Sequence, residues 1–186
     1  MSFIRLLFIS LLVVAAAGCQ SAYYGAMERV GVHKRDIMVD RVESAQEAQT
    51  DAKEQFESAL AQFRSIIQIK DQDLATRYDR LNDEYEDSKA AAKAVTERID
   101  AVEDVSEALF DEWEDEIKLY SSANLKRQSV AKLSQTRRQY QELIRAMRSA
   151  EARMEPVLRA FQDQVLFLKH NLNARAIDSL QGELGS

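Results

Sequence analysis

Residues 74–113 read LATRYDRLNDEYEDSKAAAKAVTERIDAVEDVSEALFDEW, and this stretch decides the fold. Leu74, Tyr78, Leu81, Tyr85, Ser88, Ala92, Val95, Ile99, Val102, Ser106, Leu109 and Trp113 stand alternately four and three residues apart. A helix brings such positions onto one face, whereas a strand alternates every second residue. Sustained from Leu74 to Trp113, the spacing is the seam of a coiled coil. Val105, Phe110 and Ile117 lie beside it, so the seam drifts late in the helix.

The same period extends outward on both sides. Upstream, Met38, Val42, Ala45, Gln49, Ala52, Phe56, Ala59, Phe63 and Ile66 form a first seam with one polar position. It ends at the polar stretch 70–73, where Asp71 or Asp73 can cap the next helix. Downstream, Tyr120-Ser121-Ser122-Ala123-Asn124 breaks the pattern with capping residues. A third seam follows: Leu133, Thr136, Tyr140, Leu143, Met147, Ala150, Met154, Val157, Phe161 and Leu168, with Gln164 between the last two. Pro156 sits inside it, and proline lacks the backbone donor and clashes with the preceding turn. The reading is an all-α protein, an elongated antiparallel three-helix coiled-coil bundle with helices at about 36–70, 73–120 and 124–172. Its third helix is expected to be kinked or broken near Pro156. Ala176, Ile177, Leu180 and Leu184 suggest a short helical tail. At 1.5 Å rise per residue, the two longer helices span roughly 70 Å each.

Charge supports a hairpin between the second and third helices. Residues 71–118 carry 17 acidic and 6 basic side chains; residues 119–186 carry 6 and 11. Acidic residues from Glu103 to Glu116 lead into the 121–124 turn, and Lys126, Arg127, Lys132, Arg137 and Arg138 lead out. Exposed pairs contribute about 0–1 kcal/mol each, but the pattern helps to select which helices pair. Two independently solvated charged faces remain the alternative.

The N-terminus has a separate logic. Met1 to Arg5 is a short positive region, Leu6 to Ala17 is apolar except for Ser10, and Ala16-Ala17-Gly18-Cys19 ends the run. That is the layout of a secretory signal peptide, too short to span a bilayer as a helix. The small-small-Gly-Cys ending resembles the lipobox, although Ala16 replaces the usual Leu. The expectation is therefore a signal peptide at 1–18, a lipid-carrying Cys19 opening a spacer at 19–34, and a helical domain at 35–186. Gly25 and Gly31 weaken helix in the spacer. Gln20 rather than Asp after the cysteine resembles outer-membrane sorting, which would place the chain in the cell envelope, facing the periplasm.

Chemistry-bearing patterns are sparse. The net charge of −6 argues against general nucleic-acid binding, which needs a basic surface. A single cysteine excludes an intramolecular disulfide. His33 and His170 lack metal-ligand spacing. The acidic run Asp111–Glu116 points in several directions around a helix, which suits a solvated face better than a cation site. No phosphate-binding loop or nucleophile elbow occurs. Neither an enzyme nor a cofactor or metal is expected, and Phe56, Phe63, Tyr85, Trp113, Tyr140, Met147, Met154 and Phe161 read as core.

Two stretches carry a resemblance. One runs Tyr23-Tyr24-Gly25-Ala26-Met27-Glu28-Arg29-Val30-Gly31-Val32-His33-Lys34-Arg35-Asp36 into Val39-Asp40-Arg41-Val42. The other is Leu168-Lys169-His170-Asn171-Leu172-Asn173-Ala174-Arg175-Ala176-Ile177. Together they resemble a family of uncharacterised proteobacterial envelope lipoproteins, known as a domain of unknown function. The resemblance implies an all-helical lipoprotein and supplies no activity or catalytic residue.

The functional expectation is a lipid-anchored scaffold or adaptor. Lys169, His170, Asn171, Asn173 and Arg175, at the end of the bundle far from the lipid, form the candidate surface for an envelope protein partner. A membrane-surface module using the basic third helix and the tail is the alternative. Self-association stays open, since a seam can face another copy.

Overall fold

The computed structural model describes residues 23–68 and 73–184. The expected signal segment 1–18, Cys19 and Asp71 lie outside these residues, as do the side chains of Ile66, Leu180 and Leu184. Regular structure among the described residues is entirely α-helical. Residues 23–29 are helical (α1), followed by α2 (Lys34–Gln68), α3 (Leu74–Lys118), α4 (Ala123–Glu151) and α5 (Met154–Leu184).

The spacer is more ordered than its glycines suggested. Gly31, at φ 86°, adopts the left-handed conformation that closes α1. Val32 N donates to Met27 O at 3.0 Å and Gly31 N to Glu28 O at 3.0 Å, the paired bonds of a Schellman cap. Val32 and Met27 also pack together against a common core.

The third expected helix is two helices. Helix α4 ends at Glu151, α5 begins at Met154, and residues 152–153 form a turn. Ala152 N still reaches Arg148 O at 2.9 Å, but Arg153 N bonds Ala150 O at 3.2 Å, a tighter turn. Pro156 is the third residue of α5, where a backbone N–H has no intrahelical acceptor, so its missing donor costs little there. The tail continues α5 without interruption to Leu184.

Packing divides the chain into two compact units, one from residues up to 43 and 100–142, the other from 44–99 and 143 onward. In the first, Tyr24, Ile37 and Val105 form a buried cluster, and Phe110, Ile117 and Leu133 form another with Trp113 and Tyr140 beside it. Lys34 reaches Glu112 at 3.1 Å, whereas Arg41, seven positions later, reaches the Ala101 carbonyl at 2.7 Å. Residue numbers on α3 thus fall as those on α2 rise. Between α3 and α4, Trp113 Nε1 donates to Ser129 Oγ at 2.9 Å, and Arg137 pairs with Glu114 at 2.6 Å while lying 5.2 Å from the centre of the Phe110 ring. Ser122 caps α4, its Oγ accepting from Leu125 N at 3.4 Å.

The second unit is built on Ala59, Phe63, Leu81, Phe161, Val165 and Leu168. Phe161 stacks on Phe63 with ring centres 4.3 Å apart and lies 6.2 Å from Phe56. Ala45, Ala52 and Ala59 recur every seven residues on α2 and are fully buried. Leu81, Ser88 and Val95 repeat the same interval on α3, also buried. Small residues at such positions let helix backbones approach closely. Ser88 satisfies its buried hydroxyl on its own helix, donating to Glu84 O at 2.7 Å.

Candidate interaction surface on α5

Helix α5 buries one face and leaves the other bare. Phe161, Val165 and Leu168 face the core, with Val157 and Leu158 half-buried. The run Gln164-Val165-Leu166-Phe167-Leu168 explains the rest. Successive helical residues are rotated by about 100°, so four consecutive apolar side chains cannot share one face. Leu166 (41 % exposed) and Phe167 (63 %) are therefore turned to solvent, joined a few turns later by Ile177 (57 %).

These residues belong to a second stripe. Ala160, Asp163, Phe167, His170, Ala174 and Ile177 alternate three and four apart, and all are exposed. Each of the five residues read from sequence as a partner surface lies on α5. His170 falls on this outer stripe, Asn173 lies with Leu166 along one edge of it, and Lys169 and Arg175 flank it on opposite sides. Asn171 is half-buried, and its Nδ2 donates to Phe167 O at 2.9 Å, so it serves its own helix. The sequence reading put the polar residues on the partner surface and Ile177 in a helical tail. It did not single out Leu166 and Phe167, although the 165–168 run was the signal for them. The stripe thus mixes exposed apolar residues with polar ones.

Two open grooves border the 152–153 turn. One, of about 500 Å³, is lined by Lys89, Lys93, Thr96, Arg148 and Met154 among others; the second, of about 370 Å³, includes Phe56, Arg153 and Val157. In the first groove the cations are paired: Lys89 with Glu86 at 3.2 Å, Lys93 with Glu97 at 3.2 Å and Arg148 with Glu151 at 2.9 Å. Glu151 also accepts from Thr96 Oγ1 at 2.5 Å.

Three carboxylates of the acidic run are held in ion pairs. Glu112 holds Lys34, Glu114 holds Arg137 and Asp115 holds Lys118. Among the described residues no group of three or more metal-ligating side chains converges, and no helix is long and apolar enough to cross a membrane.

The strongest electrostatic cluster ties α1 to the first unit. Lys34 contacts Glu28 at 2.5 Å and Glu112 at 3.1 Å. The Lys34 hydrogen bond holds the Glu28 carboxyl below its ordinary range. Burial opposes the charge on Lys34, but the hydrogen bonds to Glu28 and Glu112 outweigh it and raise its pKa. Burial likewise raises the Tyr24 phenol, against the opposing effect of Arg41, which donates to it at 3.1 Å.

Together these features define an all-α protein whose last helix carries a stripe of exposed residues that includes Phe167 and Ile177. Residues 23–186 match the family described as Protein of unknown function (DUF2959), and the chain belongs to that family. No curated protein and no solved structure matches the chain.

Proposed function

We propose that the protein is a lipid-anchored scaffold or adaptor of the cell envelope, with the outer face of α5 as its docking surface. In this reading residues 1–18 are removed, Cys19 is acylated, and the mature chain projects from the outer membrane into the periplasm. The falling α3 numbers against rising α2 numbers support an antiparallel three-helix bundle, its last helix bent at 152–153. The carrying observation is the second heptad-spaced stripe on α5, Phe167, His170, Ala174 and Ile177, exposed where a monomeric helix ordinarily presents polar residues. A partner helix with its own apolar stripe fits it.

In-cell photocrosslinking from position 167, with position 93 on α3 as control, tests the reading. One crosslinked envelope partner specific to position 167 is expected. Phe167→Asp with Ile177→Asp should abolish its co-purification without loss of helicity. An interactome unchanged by the double variant sinks the proposal.

A further inference from the structure

The turn between α3 and α4 carries an apolar tip that the core does not use. Leu119 is 82 % exposed, Leu125 51 % and Tyr120 44 %. All three stand at the end of the hairpin, where Leu119 N closes α3 on Glu116 O at 3.0 Å and Ser122 opens α4. Lys126 and Arg127 follow at once. Both are exposed, and among the described residues neither pairs with a carboxylate, although an acidic run precedes the turn. The cross-helix ion pair here is made by Arg137, further along. Leucines at a tip, a tyrosine beside them and two free cations just behind match the requirements of a bilayer surface. The leucines enter the headgroup boundary, the tyrosine ring sits at the interface, and the cations meet anionic headgroups.

The chain outside the described residues argues for the same occupant. Tyr23 lies four residues after Cys19, a span of at most about 14 Å. From there the chain is fixed, since Tyr24 packs with Val105 and the Lys34 cluster secures α1. Along α3, Val105 and the turn are about 20 Å apart. With α3 directed at the bilayer, the turn reaches at least about 6 Å beyond an anchored Cys19, enough to enter the roughly 5–10 Å zone of interfacial burial. We infer that the 119–127 turn is a second, non-covalent membrane contact, recognising the surface of an anionic phospholipid bilayer and fixing the orientation of the anchored protein. This rests on the lipid-anchor reading of Cys19.

The test uses mature protein extracted from membranes and reconstituted into phosphatidylethanolamine–phosphatidylglycerol vesicles. Its mass reads acylation of Cys19 separately; an unacylated cysteine removes the anchor reading. With Cys19 acylated, Leu119→Cys supplies a single thiol for an environment-sensitive dye, and Gln139→Cys provides a control site. Quencher-bearing lipid should quench the dye at 119 at least threefold more than at 139. Lys126→Glu with Arg127→Glu should lower that quenching and remove its dependence on phosphatidylglycerol, while circular dichroism shows unchanged helix. Equal quenching at both sites, or none at 119 in an acylated protein, overturns the inference. So does a dye shielded in a concentration-dependent way without lipid quenching, which would mark a second copy as the occupant.

Discussion

Lys34 is the residue on which the fixed N-terminus most depends. It is largely buried and bonded to two carboxylates from different elements, Glu28 and Glu112. Because the Glu28 pKa is depressed, its contribution is present above the ordinary value of 4.5 and is lost as pH falls through the folded-state value. The Lys34 pKa is raised, so its contribution is full below 10.5 and is lost as pH climbs through the folded-state value. Lys34→Met should therefore lower stability by about 1 kcal/mol at neutral pH. The gap to wild type should close below pH 4.5, as read by thermal melts across pH. Ser106 behaves differently. Its hydroxyl is fully buried and bonds Val102 O at 2.6 Å, within its own helix. Ser106→Ala removes hydroxyl and bond together and should change urea stability by less than about 0.5 kcal/mol, whereas Ser106→Leu overpacks the site and should cost about 1–3 kcal/mol.

At the scale of elements, the helices were legible because their period is written in large residues. The seam 74–113 lies within α3, and the late drift is real: Val105, Phe110 and Ile117 are buried, whereas Leu109 and Trp113 are only half-buried. The third seam was read less well. Val165 occupies the core where Gln164 was placed, and Ala150 is exposed. Ala150 stands beside the 152–153 turn, where the helix is interrupted; past it Val157, Phe161 and Leu168 keep their counted positions, and only the step between the last two runs four then three, not three then four. Partial helix in the 20–34 spacer was open to a sequence reading, but what holds α1 was not, because it depends on Tyr24 and Lys34 finding partners on α3. Pro156→Ala should change stability in denaturant titration by no more than about 1 kcal/mol, since the added N–H sits in a first turn and has no intrahelical acceptor. Phe161→Ala, which empties a ring stacked between Phe63 and Phe56, should cost about 3–5 kcal/mol in denaturant titration.

For the whole molecule, the partition into two units was not legible, because continuous seams hide where contacts thin. Helices α2, α3 and α4 contribute to both units, and α3 runs from Leu74 to Lys118 without a break. Separate clusters joined by shared helices should unfold together. Trp113, the single tryptophan, belongs to the first unit and Phe161 to the second. The expected outcome is that Phe161→Ala shifts the Trp113 fluorescence midpoint as far as the circular dichroism midpoint. A lagging fluorescence transition would show the units melting independently. On α5 the polar residues 169–175 and Ile177 were named from sequence, whereas the exposure of Leu166 and Phe167 emerged only once the buried face of the helix was known.

The alanines of α2 have a further implication. Ala45, Ala52 and Ala59 are equal teeth on a ruler, and Leu81, Ser88 and Val95 are notches cut at the same interval. Sliding α2 by one heptad would seat tooth in notch almost as well as before. Contacts that do not repeat forbid the slip: the stacked rings Phe63 and Phe161, Lys34 on Glu112 and Arg41 on the Ala101 carbonyl. Trimming Phe161 would therefore do more than loosen the core: it would remove one of the stops that tell the helices where along each other to rest.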